Sequence, residues 1–367
     1  MSELFQFADN IGPAKVMGIY EPKLHLRGIL VVDNVAAGPA IGGCRMAPDV
    51  TLQECARLAR AMTMKNAAAG LPHGGAKSVI MADPKMPTER KEQVIRAFAH
   101  AIRDVADYIV GPDMGLNERA MAWMHDEIGR AAGLPREIGG IPLDEIGATG
   151  FGLAIAAEVA QDFCEVKIAG ARVAVQGFGA VGKHAARFLA ARGAVLVAAS
   201  DSSGTIVNSN GLDVEALIAL KNRGRSVVEL PAAERRDREA IVGVGCDIWI
   251  PAARPDVITM VNVDLLRAKL VLQGANIPVS PEAEERMHQR GILSIPDFIA
   301  NAGGVICASV EYHGGTQSTA LETIEEKIRN NTREVLDAMR LQRVTPRRAA
   351  VDLARERVLV AMSYRRF

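Results

Sequence analysis

The sequence predicts an α/β protein of two domains, one built on a mixed sheet and one doubly wound around a parallel sheet. Three observations predict it. A length of 367 residues exceeds one typical domain. Short apolar runs suited to buried strands alternate with amphipathic helical stretches, the pattern of βαβ units. A segment rich in glycine and proline, residues 133–149, stands between two such regions and reads as a hinge.

Composition narrows the function. The chain is 49% hydrophobic and 23% charged, as expected of an ordinary soluble protein. Its formal net charge is zero, so it lacks the basic excess of a nucleic-acid or membrane-surface binder. Cys44, Cys55, Cys164, Cys246 and Cys307 are an odd, scattered set without a CxxC pair. They read as reduced thiols of a cytoplasmic protein. The histidines form no HExxH or similar spacing, so no metal is expected. The start Met1-Ser2-Glu3-Leu4-Phe5 lacks the basic and apolar regions of a signal peptide. No apolar run reaches the ~18 residues of a membrane span.

In the first half, Leu26–Asp33 reads as a strand and Gly38–Arg45 as a glycine-rich loop able to offer backbone donors to an anion. Thr51-Leu52-Gln53-Glu54 is a capping box that opens a helix running to about Ala69, with Gly70 as its stop. Leu58, Ala61, Met62 and Lys65 share a face of that helix. The stretch Leu71-Pro72-His73-Gly74-Gly75-Ala76-Lys77 then places a second lysine after two glycines, just before a buried strand, Ser78–Met81. Two ammonium groups in one dry pocket repel, and burial disfavours both charged forms. Each effect lowers a lysine pKa towards the range of a general base. A helix from about Glu89 to Asp107 follows, then a strand that ends in Gly111-Pro112-Asp113. Asp113 is thereby a carboxylate held rigidly at a strand end, facing the lysines.

In the second half, the strand Arg172–Gln176 runs into Gly177-Phe178-Gly179-Ala180-Val181-Gly182, a full GxGxxG. A helix and a second strand that closes on Asp201 come next. In that setting each glycine has a task. The first makes the turn, the second lets backbone approach a pyrophosphate, and the third lets helix pack on strand. The helix N-terminus attracts the phosphates. This is a Rossmann-like dinucleotide-binding domain. Asp201 suits the ribose hydroxyls of NAD, which favours NAD. Ser202, Lys221 and Arg225 suit the 2′-phosphate of NADP, so that choice stays open. The expected domains are residues 1–132 with the C-terminal helices at about 318–367, for substrate binding and oligomerisation, and residues 133–317 for the dinucleotide.

Gly42-Gly43-Cys44-Arg45-Met46, Met62–Ala67, Leu71–Lys77, Gly111-Pro112-Asp113, Met121-Ala122-Trp123-Met124 and Ala148-Thr149-Gly150 resemble motifs of the glutamate/leucine/phenylalanine/valine dehydrogenase family. Gly177–Gly182, Gly274-Ala275-Asn276 and Asn301–Val305 continue the resemblance in family order. It implies oxidative deamination of an L-amino acid to a 2-oxo acid and ammonia, with NAD or NADP taking the hydride, in a homo-oligomer. By the same resemblance Lys65 binds the substrate α-carboxylate with the backbone of Gly42 and Gly43. Lys77 activates water, Asp113 shuttles protons at the amine nitrogen, and Thr149 and Asn276 lie by the nicotinamide.

Glutamate enzymes of this family carry a lysine where Ile41 stands and a serine where Ala308 stands. A second substrate carboxylate would lack partners here, at a cost of several kcal/mol. The expectation is therefore an apolar substrate such as leucine, valine or phenylalanine, in a pocket like that of the leucine and phenylalanine branch. Gly111–Asp113, Met121–Met124 and Ser200–Gly204 look more like glutamate enzymes. The alternatives are a glutamate dehydrogenase with an altered pocket and a catalytically silent dinucleotide-binding regulator.

Overall fold

The computed structural model describes residues 5–231 and 233–366. Residues 1–4, part of the signal-peptide reading, and Phe367, the end of the expected first domain, lie outside them. The chain forms two compact units. One takes the residues up to Leu143, Val305–Ala320 and the chain from Asp352 on; the other takes Asp144–Gly304 and Leu321–Val351.

The first unit opens with strands β1 (Lys15–Glu21) and β2 (Leu26–Asn34), an antiparallel pair. Strand β3 (Ala40–Met46), helix α1 (Leu52–Ala68), β4 (Gly75–Ile80), α2 (Thr88–Ala101), β5 (Tyr108–Pro112) and α3 (Glu118–Ile128) follow. The sheet order is β1-β2-β4-β3-β5. β4 pairs antiparallel with β2 but parallel with β3, which makes the sheet mixed. Strand periodicity sorts its side chains. Val31 and Val79 meet Cys55, Ala56 and Ala59 of α1, whereas Leu30, Val32 and Ile80 turn to the core that holds Phe98 and Met121 of α2 and α3. β4 is buried along its whole length, as a central strand covered on two faces must be.

One local expectation is corrected here. Gly38–Arg45 is for the most part no loop, since Ala40–Met46 is a central strand between β4 and β5. A Cβ on Gly42 would fall 1.7 Å from the Ala76 carbonyl oxygen. The glycines answer a close backbone approach within the sheet rather than a turn. α1 starts where expected, with Thr51 Oγ1 accepting from Glu54 N at 3.1 Å, but the capping box is only half made, since the Glu54 carboxylate turns to Arg45. Gly70 then takes a left-handed φ of 60° just past the helix end.

The second unit contains α4 (Leu143–Ile146), which begins at the border, α5 (Ala148–Ala160), β6 (Arg172–Gln176), α6 (Ala180–Ala190), β7 (Val195–Asp201), β8 (Gly204–Val207), α7 (Val214–Asn222), β9 (Glu234–Arg236), β10 (Ile248–Pro251), β11 (Leu270–Leu272), α8 (Pro281–Gln289), β12 (Leu293–Ile295) and α9 (Asp297–Ala300). The sheet order is β12-β11-β10-β6-β7-β8-β9. It is parallel from β12 to β7, and β8 and β9 add an antiparallel edge. From β6 the chain winds outward through β7, then returns to β6's other side with β10. That reversal is the switch point of a doubly wound sheet. Between β10 and β11 the chain makes a single 3₁₀ turn, Val263–Leu265.

Three C-terminal helices complete the chain: α10 (Gly303–Tyr312), α11 (Gln317–Gln342) and α12 (Pro346–Ser363). The units differ from the expected partition at these helices and at the hinge. Residues 133–143 stay with the first unit because Glu311 of α10 accepts N–H groups of Gly133, Leu134 and Ile141 at 2.7–3.0 Å. Residues 321–351 belong to the second unit, where Arg329 pairs with Glu158 and Arg347 with Glu284 and Asp297. Among the described residues no helix is long and apolar enough to cross a membrane.

Candidate active site

In the first unit, Lys77 stands inside β4, buried, on the α1 face of the sheet. Its Nζ donates to Oδ2 of Asp113, which follows β5. Arg45 Nε donates to the same oxygen at 3.0 Å, and the Arg45 guanidinium also pairs with Glu54 of α1. Burial pushes the Asp113 carboxyl up, but Lys77 and Arg45 outweigh it and hold it below the usual carboxylate range. The charge that meets Lys77 is thus this carboxylate.

Gly43 makes the pairing possible. A Cβ there would lie 2.8 Å from Asp113 Cβ and 3.2 Å from Lys77 Nζ. Gly75 is equally constrained, with a Cβ position 2.0 Å from Thr63 N of α1. Gly75 therefore lets β4 lie close under the helix that carries Lys65, while Gly74, with its Cβ position 1.7 Å from the Asn34 carbonyl oxygen, lets the chain pass close to the end of β2. Lys65 itself is half-buried in the last turn of α1. Asn66 beside it donates to the Ile41 and Gly74 carbonyls at 3.2 and 2.6 Å, tying α1 to both glycine-bearing segments.

Ile41 and Ala308, far apart in sequence, pack in one buried cluster with Ile109, Ala132 and Tyr312. Tyr108 also acts on this strand, donating from its hydroxyl to the Gly42 carbonyl at 3.0 Å. Cys44 beside them is fully buried, and burial pushes its thiol up to about 12, so it is inert as a nucleophile.

In the second unit the GxGxxG turn has the expected form. Gly177 has φ of 89°, and a Cβ there would lie 2.8 Å from Ala253. Gly182 packs with its Cβ position 2.1 Å from the Gly177 carbonyl oxygen. Gly179 faces open space, with nothing within 4 Å of its Cβ position, and α6 begins at the next residue. Phe178 is buried, Ala180 is exposed and Val181 half-buried. The unpaired N–H groups of the first helical turn and the positive end of the helix dipole suit a phosphate.

A cleft of about 330 Å³ lies at the C-terminal ends of β6, β7 and β10, lined by Gly177–Gly179, Asp201, Ser202, Lys221, Arg238 and Glu239 among others. Gln176 lines it too, and its buried Oε1 has no hydrogen-bond partner. A bare backbone cradle, an unmatched polar atom and a position at the switch point fit a dinucleotide.

Asp201 behaves differently from the sequence expectation. Oδ1 accepts from Ser203 N and Ser226 Oγ, and Oδ2 from Lys221 Nζ and Val227 N, all at 2.8–2.9 Å. A carboxylate offers about four acceptor positions, and all are engaged within the chain. Burial raises this carboxyl, yet Lys221 and the other donors hold it below the usual range.

Thr149 sits in the first turn of α5, with Oγ1 3.1 Å from where a Gly304 Cβ would be. Asn276 is exposed, and its Oδ1 accepts from Asn301 Nδ2 at 3.2 Å. Asn301 also reaches the Gly274 and Ala275 carbonyls. Sequence reasoning gave no role to Arg45, Tyr108, Glu311, Arg238 or Asn301. Only Arg45 and Asn301 carried a signal, since each lies within a quoted motif.

A buried lysine–carboxylate pair in an α/β unit, joined in one chain to a doubly wound unit with a dinucleotide cleft, defines a dinucleotide-dependent dehydrogenase. The chain belongs to the glutamate/leucine/phenylalanine/valine dehydrogenase family: residues 139–366 match that family, and residues 21–130 match its Glu/Leu/Phe/Val dehydrogenase dimerisation domain. It is 37% identical over 363 residues to an NADP(+)-dependent glutamate dehydrogenase of Pyrobaculum calidifontis, covering 92% of this chain and 86% of that one. It is 38% identical to a glutamate dehydrogenase of Thermotoga maritima over 92% of this chain and 86% of the other. The hetero-hexameric glutamate dehydrogenase of Thermus thermophilus, solved in a Leu-bound form, superposes with a TM-score of 0.85 at 27% identity, covering 95% of this chain and 89% of that one. The protein is an NAD(P)-dependent amino-acid dehydrogenase acting on a CH–NH₂ group.

Proposed function

We propose that the chain oxidatively deaminates an L-amino acid with an apolar side chain, of the leucine, valine or phenylalanine type, to the 2-oxo acid and ammonia. The observation that carries this is the shared burial of Ile41 and Ala308, at 3% and 7% exposure, against Ile109, Ala132 and Tyr312. A distal carboxylate brought to that cluster would meet aliphatic carbon and lose its hydration without an ion partner.

In the proposed mechanism Lys65 and the Gly42-Gly43 backbone hold the α-carboxylate. Asp113, kept ionised by its cations, takes a proton from the amine nitrogen. The dinucleotide, when bound, supplies the hydride acceptor. Lys77 then assists water in adding to the carbon of the substrate imine, and Asp113 returns a proton to the departing nitrogen. Water, zwitterionic amino acid and oxidised dinucleotide thus yield oxo acid, ammonium, reduced dinucleotide and one proton. Gly177–Gly182 would hold the pyrophosphate, and Thr149 and Asn276 the nicotinamide end.

For the dinucleotide we favour NADP, a change from the preference that rested on Asp201. With its acceptors engaged, Asp201 has little left for a ribose diol, while Lys221, Arg238 and Ser202 line the same cleft. Glu239 also lines it but pairs with Arg238 at 2.8 Å. We take the protein to be a homo-oligomer, supported by its match to a dimerisation domain, and cytoplasmic, in keeping with its five free cysteines.

A second reading, glutamate as substrate, is favoured by the similarity to two glutamate dehydrogenases at 37% and 38% identity. Initial rates with leucine, valine, phenylalanine and glutamate separate the two. Turnover of the apolar amino acids without glutamate supports the pocket reading; glutamate as the best substrate overturns it.

A further inference from the structure

One ionic network, reaching up from the start of α12, grips both ends of the segment Gln273–Ile277. Arg347 donates to the two Glu284 oxygens at 2.7 and 2.8 Å, to Asp297 Oδ1 at 2.6 Å and to Gln273 Oε1 at 3.0 Å. Gln273 Nε2 donates onward to Glu284 Oε1 at 2.5 Å and Ser294 Oγ at 3.0 Å. Asp297 turns its other oxygen, Oδ2, to the N–H of Ile277 at 2.8 Å. Ile277 has φ of 49°, a left-handed conformation that a β-branched residue adopts only when its surroundings impose it. Between these ends the N–H groups of Gly274 and Ala275 both donate to the Pro251 carbonyl, at 3.0 and 2.8 Å.

Glu284 and Asp297 are buried, at 7% and 6% exposure. Buried carboxylates are a poor way to gain stability, and apolar packing commonly serves as well. Here the ions have a geometric result. A guanidinium fork reaches three side chains at fixed angles, which a lysine point charge does not. Through them it sets both the exit of β11 and the backbone turn at Ile277.

We propose that Arg347 is a positioning residue for the nicotinamide end of the dinucleotide, fixing through Gln273 and Asp297 where Asn276 is presented. This rests on the reading of Asn276 as a neighbour of the nicotinamide.

The test compares two probes on the full chain: NADPH, which carries the nicotinamide, and 2′-phospho-ADP-ribose, which lacks it. Affinities come from fluorescence and calorimetric titration of wild type, Arg347→Lys, Asp297→Asn and Asn276→Ala, with melting temperatures alongside. Arg347→Lys weakens NADPH about tenfold, the scale of one charge-assisted hydrogen bond. It leaves 2′-phospho-ADP-ribose and the KM for amino acid within about twofold. Asp297→Asn shows the same selectivity, and the double variant loses less than the two effects combined, as for residues in one network. A folded Arg347→Lys protein that binds NADPH like wild type overturns the proposal. So does parallel loss of both probes, which marks general damage to the unit. If Asn276→Ala leaves NADPH affinity unchanged, the premise about Asn276 fails, whatever Arg347→Lys does.

Discussion

Lys77 and Asp113 form an ion pair inside the first unit, and the Asp113 oxygen that accepts from Lys77 Nζ also accepts from Arg45 Nε at 3.0 Å. A single carboxylate oxygen therefore joins the proposed base to a second cation. Removing Lys77 should leave Asp113 paired and the fold intact. Lys77→Ala should lower kcat by about 10²- to 10⁴-fold, the usual worth of a general acid or base. Steady-state kinetics and an NADPH titration check this. Near-normal kcat, or loss of NADPH binding, speaks against the assignment.

Arg45 is predicted to set the acid limb of the pH profile. Asp113 must be a carboxylate to accept the amine proton, and Arg45 helps hold its pKa down. In Arg45→Met that pKa rises, so activity is lost at a higher pH as the solution is acidified. The acid limb of kcat/KM should move to higher pH. An unmoved limb would mean that another group controls it.

The pocket reading predicts that Ile41→Lys with Ala308→Ser shifts preference from leucine towards glutamate. The new ammonium and hydroxyl give a distal carboxylate partners while desolvating a cation beside an apolar side chain. The ratio of kcat/KM for glutamate over leucine should rise at least about tenfold, one charge-assisted bond in magnitude. A ratio that stays put places the side chain elsewhere.

His184 of α6 predicts a pH dependence of stability. Burial, then the charges of Arg187 and Lys183, lower its pKa from 6.5 to about 4. The folded state disfavours the proton, so the stability this residue contributes is complete above 6.5 and is lost as pH falls towards 4. Between pH 7 and pH 5 the loss should be about 2 kcal/mol. His184→Leu should flatten urea-unfolding stability over that interval. The lowered carboxylates Asp113 and Asp201 act further into acid and do not imitate it.

Much of the second unit was legible because its signals are local. Strand, glycine turn and helix occupy consecutive residues from Arg172 to Ala190, and the acid at Asp201 closes the next strand. The saturation of Asp201 was not legible, because two of its donors, Ser226 and Val227, come from a turn far along the chain. Gly42 and Gly43 read as loop residues for a related reason. Their need for hydrogen in place of a side chain arises from β4 and Asp113, which are tertiary neighbours. The meeting of Ile41 with Ala308 had no local trace either and entered through resemblance alone. That helices fill the C-terminal stretch from about 318 was legible, yet the division of helices 317–342 and 346–363 between units depends on where Arg329 and Arg347 find carboxylates.

The most direct test of the account is initial-rate formation of NAD(P)H by the purified protein, over a panel of L-amino acids with NAD and NADP supplied separately. The predicted result is turnover of leucine, valine or phenylalanine, faster with NADP at limiting concentration, and little with glutamate. Glutamate as the best substrate would contradict the pocket built on Ile41 and Ala308, and no turnover of any amino acid would contradict the roles given to Lys77 and Asp113.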